Sequence, residues 1–187
     1  DLEIDTKYYV AEDEVNRRKL NPSFPTVVYR LIARNTDPQT FIATMLPKAG
    51  VGHSAGVFQS VVDQELLLPL LGVLNSRLFD FIVKSKSSGA NVSFFITKQL
   101  PLPPLEDFKE RINPKTENSF KDDITALVQQ LIPTTTTMAK VLDLEEQDDW
   151  NAERRETLKA QLDELVFDYY GITEEMRQYV LYSNDEE

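Results

Sequence analysis

Side chains able to read or grip nucleic acid gather in four stretches of this 187-residue chain: Arg30–Thr40, Lys48–Ser54, Asn75–Arg77 and Lys84–Ser93. Arginine and lysine read guanine, asparagine reads adenine, and hydroxyls and lysine grip phosphates. The expected phosphate contacts are Arg30, Arg34, Lys48, Lys84, Lys86 and Lys98. The expected neighbours of base edges are Asn35, Thr36, His53, Ser54, Ser88 and Asn91. Each has the plain alternative of a solvated surface residue. Asn75 and Ser76 carry a different expectation. They lie inside an apolar helix, where such side chains bond nearby backbone and set packing.

Other chemistries find less support. The chain has no cysteine and one histidine, His53, which removes thiolate metal sites, cysteine nucleophiles and multi-histidine centres. Gly50-Val-Gly-His-Ser-Ala55 matches the G-x-G-x-x-A turn of dinucleotide folds. That turn needs a strand leading into it and a helix opening after it. Here Pro47 breaks the approach and a strand is expected after the loop, so an adaptable glycine loop fits better. Asn21-Pro-Ser-Phe24 approaches an adenine-binding motif but lacks its second proline, and reads as a loop. The carboxylate pairs of the C-terminal half fall on solvated helix faces, and a hydrolase would need a pocket holding paired carboxylates of shifted pKa.

The elements that must position these residues can be read from periodicity. Thr26–Arg34 is β-rich and alternates, and Thr40–Leu46 reads as a second strand after an Asn35-Thr-Asp-Pro38 turn, which predicts a hairpin. Val57–Val62 reads as a third strand and Asn91–Thr97 as a fourth. Between them Pro69 sits in the first turn of a buried helix running to about Lys84. Its apolar run, Leu66–Leu74, is too short to span a bilayer. The second half reads as helices over Phe120–Ile132 and Trp150–Tyr170, with Gly171 as a left-handed stop. Thr173 then caps a last helix whose apolar side is Met176, Tyr179 and Val180. Thr134–Thr137 reads as a loop or frayed end. The fold class expected is α+β: a small mixed or antiparallel sheet with a buried helix, followed by a C-terminal helical subdomain.

Charge divides along the same line. The formal net charge is −11, but Val15–Pro104 carries ten basic residues against four acids, and residues 105–187 carry nine against twenty-one. The first fourteen residues hold one lysine and six acids. A basic middle suits a polyanion, and an acidic tail suits solvent or a basic protein surface. The N-terminus, DLEIDTKYY, has no start methionine or signal-like region, and reads as the beginning of an excised piece.

Three stretches in order carry a family resemblance: Tyr29–Pro47, Leu67–Pro104 and Arg154–Leu181. They resemble the C-terminal part of large restriction–modification adenine methylases of type II or IIG kind. Leu74-Asn-Ser76, with the basic loop, the strand and Leu-Pro-x-Pro after it, is similar to the target recognition domains of type I specificity subunits. The resemblance implies a target-recognition-domain fold over 1–105 and a helical scaffold or docking region over 106–187. It implies a chain that is noncatalytic by itself and recognises double-stranded DNA. The parent would be a site-specific adenine DNA methyltransferase using S-adenosylmethionine on a flipped base, with no cofactor held in this chain. The catalytic methylase domain of that parent would be a second partner, the location cytoplasmic, and no membrane involved. The alternative is a subunit-docking module without DNA contact, which the acidic tail favours.

Overall fold

The computed structural model describes residues 9–18, 25–46, 49–58, 63–132, 136, 139–140, 143–145 and 151–183. Lys48, the Asn21–Phe24 loop, residues 59–62, most of Thr134–Thr137, and Trp150 lie outside the described residues.

Helix α1 (Glu12–Arg18) precedes strands β1 (Thr26–Arg30), β2 (Ala43–Leu46) and β3 (Ala55–Val57). They form one antiparallel sheet of order β2-β1-β3. The register sets Thr26 opposite Leu46 and Tyr29 opposite both Ala43 and Gly56. The expected hairpin therefore forms. As the central strand, β1 buries Thr26, Val27, Val28 and Tyr29 in succession, so both of its faces are covered. The Tyr29 ring stacks on Phe41 at 5.2 Å and tilts against Phe58 at 5.3 Å.

A 3-10 turn at Gln64–Leu66 leads into α2 (Leu67–Leu74), and α3 (Arg77–Lys86) follows. The single helix expected from Pro69 to Lys84 is two helices, bent by 66° between them. The break is made by Ser76, whose hydroxyl accepts the Phe79 N–H as a helix cap and donates to the Val73 carbonyl at 2.8 Å. Asn75 holds the junction to the sheet. Its amide oxygen accepts the Ala43 N–H at 3.0 Å, and its amide nitrogen donates to the Ala43 and Leu71 carbonyls. The backbone role expected for Asn75 and Ser76 is what the structure shows. Asn75 also occupies hydrogen-bonding groups of β2, an edge strand that would otherwise be open to pairing there.

The fourth expected strand is absent in that form. Asn91 makes one bridge to Ile32, and Ser93 then caps a single helical turn, α4 (Phe94–Thr97). Helices α5 (Leu105–Glu110), α6 (Phe120–Leu131), α7 (Ala152–Tyr170) and α8 (Glu174–Ser183) follow. Buried Phe120, Ile124 and Val128 on α6 and Leu158, Leu162, Val166 and Tyr169 on α7 follow the helical spacing of the sequence. Gly171 ends α7 at φ 66°, where a Cβ would be strained. The last helix departs from expectation on its apolar side. Val180 is buried, but Met176 and Tyr179 are exposed.

One apolar cluster runs from Val27, Phe41 and Met45 on the sheet side through Leu70, Leu71 and Phe79 to Ile124, Leu162 and Phe167. No single helix among the described residues is long and apolar enough to cross a membrane. The architecture is a small α+β fold: a three-stranded antiparallel sheet, packed helices and a C-terminal helical part.

Candidate nucleic-acid interface

Two polar loops lie end to end along one side of β1. Beyond Arg30 the central strand continues as Leu31–Ala33, whose N–H groups take different partners along that side. The Leu31 N–H donates to the Ser54 carbonyl at 2.9 Å, and the Ala33 N–H donates to the Ala90 carbonyl at 3.1 Å. The Leu31 carbonyl accepts the Val92 N–H at 2.8 Å. The glycine loop before β3 and the Ser87–Asn91 loop after α3 are thereby brought side by side. The chain then enters the Arg34–Asp37 turn directly, closed by an Asp37 N–H to Arg34 carbonyl bond of 3.1 Å. Three of the four clusters read from the sequence thus meet at the C-terminal end of β1. The fourth, Asn75–Arg77, does not join them, because Asn75 and Ser76 are spent on the α2–α3 junction.

The cations at this end divide into two sets. Arg30 and Lys84 are committed to the fold. Arg30 donates to the Gln39 carbonyl and, at 3.4 Å, to Asp37 and the Thr40 carbonyl. Lys84, whose side chain is 15% exposed, pairs with Asp80 at 3.6 Å and donates to the Pro38 carbonyl at 3.3 Å. Asp80 is the centre of this arrangement. One of its oxygens accepts the Thr40 N–H at 2.8 Å and the Phe41 N–H at 2.6 Å. Burial raises the Asp80 pKa, while the Phe41 N–H, Lys84 and the Thr40 N–H pull it down. The three side chains form a clamp that fixes residues 37–41 against α3 and so presents the turn in one shape.

The second set faces solvent. Arg34 has a side chain 72% exposed and touches Asp37 at 3.3 Å. Its backbone N–H, then its guanidinium, hold the Asp37 carboxyl below the usual range. Lys86 and Lys98 are exposed. Asn35, Thr36, His53, Ser54, Ser88 and Asn91 are exposed as well. Residues 49–58 and 81–104 contain no carboxylate. Within the turn the acid is Asp37, paired with Arg30 and Arg34, and Asp80 lies buried on the adjoining α3. The segment before α1 also reaches the glycine loop, with Val10 against Gly50 and Glu12, Asp13 and Glu14 just after it. Sequence reasoning found the cations and hydrogen-bonding groups. It missed Asp80 as their organiser, although a lone acid inside the apolar run Leu78-Phe-Asp-Phe-Ile-Val83 signals a buried carboxylate with a structural task.

A cleft of about 880 Å³ lies between β2, α2, α6 and α7 and borders the clamp, with Pro38, Gln39 and Asp80 in its lining. Its charged wall includes Arg77, Arg155, Lys159 and Asp163. Asp163 accepts the Arg77 N–H at 2.7 Å, with the Arg77 Nε 3.7 Å away. Burial pushes its pKa up to about 6, opposed by Arg77 and Lys159 and assisted by Glu164. The carboxylate therefore ties α7 to the start of α3. Among the described residues, no three His, Cys, Asp or Glu side chains converge in a way that could hold a metal.

This group has a measurable consequence. The folded pKa lies above the unfolded value of about 3.9, so the folded state holds the proton more tightly. The stability it contributes is full below about pH 4 and is lost as pH rises through about 6. Asp163→Asn keeps an oxygen for the Arg77 N–H and removes the titration. Urea unfolding at pH 4.5 and 7.5 should show wild type losing about 2 kcal/mol relative to the variant. Parallel pH profiles for the two proteins would refute this role.

No family model, curated protein or solved structure matches the chain. This corrects the restriction–modification, type II and adenine-methylation assignments, which rested on three loose motifs in order and gain no matching relative. The fold stands as a small α+β fold and is not further specified as a target recognition domain.

Proposed function

We propose that this chain is a double-stranded DNA recognition module that engages the duplex through the loops at the C-terminal end of β1. The observation that carries the reading is the convergence of separate polar loops onto residues 31–34, beside a turn whose own carboxylate, Asp37, is paired with Arg30 and Arg34. Arg34, Lys86 and Lys98 would meet phosphates. Asn35, Thr36, His53, Ser54, Ser88 and Asn91 would face base edges. Arg30 and Lys84 serve by fixing the turn. The acidic half, with nine basic residues against twenty-one acids, would face away from the duplex or dock on protein. The reading includes no catalytic step in this chain and a cytoplasmic setting.

The test is fluorescence anisotropy of the purified chain with a labelled mixed-sequence duplex, from low to physiological salt. Binding should weaken steeply with salt through counterion release. Lys86→Ala and Lys98→Ala should each lower the magnitude of the log–log salt slope by about 1. An unchanged slope in both variants would remove these lysines from the interface. Absence of binding at low salt would favour the docking reading instead. That reading has one specific observation behind it: Met176, Tyr179 and Tyr182 are exposed on α8 beside Glu174 and Glu175.

A further inference from the structure

Resting on the DNA reading, we infer that Phe95 is an aromatic wedge, inserted between base pairs of the duplex that the loops hold. Phe95 is 77% exposed and Phe94 is 53% exposed, in a chain whose other described phenylalanines are buried or half-buried. Their position follows from the backbone. Val92 is bonded to Leu31, Ser93 caps the next turn, and the two rings stand at once beyond the Asn91 bridge to Ile32. Ile32 is itself exposed, which extends the apolar patch back to β1.

The mounting is stiff. The Ser93 hydroxyl accepts the Ile96 N–H at 3.4 Å, and the Thr97 hydroxyl donates to the Ser93 carbonyl at 3.1 Å. The Gln99 amide donates to the Phe95 carbonyl at 3.1 Å. The Phe94 ring meets the edge of the Tyr29 ring at 6.4 Å, anchoring the turn to the core. Phe94 therefore acts as a footing, and Phe95 projects from it.

The surroundings decide among partners. Lys98 follows Phe95 by one helical turn, Lys86, Ser88 and Asn91 lie just before, and the segment 81–104 has no carboxylate. A protein-docking patch has no need of that cationic, hydrogen-bonding rim, whereas a duplex does. Apolar side chains that wedge between base steps unstack them and bend the duplex, which brings more backbone to the protein. A cationic rim around an exposed aromatic also suits an anionic membrane. The exposed Asn91 and Ser88, four and seven residues before Phe95, favour DNA, as lipid headgroups offer such groups no patterned edge.

The experiment uses the full chain and a set of duplexes with 2-aminopurine at successive positions, whose fluorescence rises when stacking is lost. Anisotropy of an end label is read from the same samples. Wild type should bind and raise 2-aminopurine emission roughly threefold or more at one step. Phe95→Ala should abolish that rise while weakening binding by about five- to tenfold, and Phe95→Trp should restore it. An unchanged thermal melt for each variant checks that the exposed site leaves the fold intact. Binding by anisotropy with no rise at any position would overturn the wedge and leave the DNA reading standing. Absence of binding would overturn both. In that case, capture of the chain by phosphatidylglycerol vesicles, lost in Phe95→Ala, would assign the ring to a membrane surface.

Discussion

Asp80→Ala is expected to destabilise the fold by about 3–5 kcal/mol, a large share of the stability of a domain this size. Asp80 is 4% exposed, and its side chain satisfies the Thr40 and Phe41 amides from α3, about forty residues away in sequence. Its removal leaves two amide donors without an acceptor, at about 1–3 kcal/mol each. It also removes an ion-pair partner of Lys84. Asp80→Asn keeps one acceptor oxygen and should lose about half as much. Urea unfolding checks both, with an unchanged m-value showing that the denatured state is the same. Because the clamp shapes the Asp37–Phe41 segment, the asparagine variant should bind duplex more weakly than wild type even where it is fully folded. A loss under about 1 kcal/mol for the alanine variant would mean that the turn keeps its shape without Asp80.

The second large effect is expected at Gly72. A Cβ built there would lie 2.5 Å from Ile124 Cγ2 and 2.9 Å from Val128 Cγ2, with Leu162 Cδ1 at 3.3 Å. The glycine lets α2 approach α6 and α7 closely. Alanine gains about 1 kcal/mol of helix propensity but meets an overpacking cost of about 1–3 kcal/mol. Valine adds two further methyls in the same space, so Gly72→Val should cost roughly 3 kcal/mol or more. The pairing can be isolated by a double-mutant cycle. Ile124→Ala removes the clashing methyl, so Gly72→Ala/Ile124→Ala should be more stable than the sum of the single changes by about 0.5–2 kcal/mol. Additive effects would mean that α2 and α6 shift apart freely at this crossing.

These two residues show where sequence reading succeeds and where it stops. The hairpin was legible because two strand-favouring runs, around Thr26–Arg30 and Ala43–Leu46, flank a turn containing Pro38. The helices of the second half were legible because a period near 3.6 places Ile124, Val128, Leu162 and Val166 on buried faces. Asn91–Thr97 misled because its valine and phenylalanines favour strands. Asn91 and Val92 already fill the row beside β1, and Ser93 offers its hydroxyl to the next turn, so the chain coils instead. The α2–α3 break was hidden because apolar spacing continues across it, and only the serine cap reveals the change of direction. Gly72 and Asp80 depend on neighbours 40–90 residues away, which periodicity does not report.

The candidate site was legible as a composition and not as an arrangement. Arg30, Arg34, Lys84 and Lys86 are equivalent as letters. In the structure, Arg30 and Lys84 are drawn inward by Asp37, Asp80 and backbone carbonyls, leaving Arg34 and Lys86 towards solvent. Phe95 had no sequence signal, since an exposed phenylalanine and a strand phenylalanine look alike until the turn is known.

The central claim is that the loops at the end of β1 form the DNA-binding surface. Amide chemical-shift mapping of the labelled chain against an unlabelled mixed-sequence duplex at low salt tests it most directly. The account predicts shifts concentrated at residues 34–36, 52–54, 86–91 and 94–98, with α7 and α8 unmoved. Shifts confined to the exposed face of α8, or no shifts at all, would contradict it.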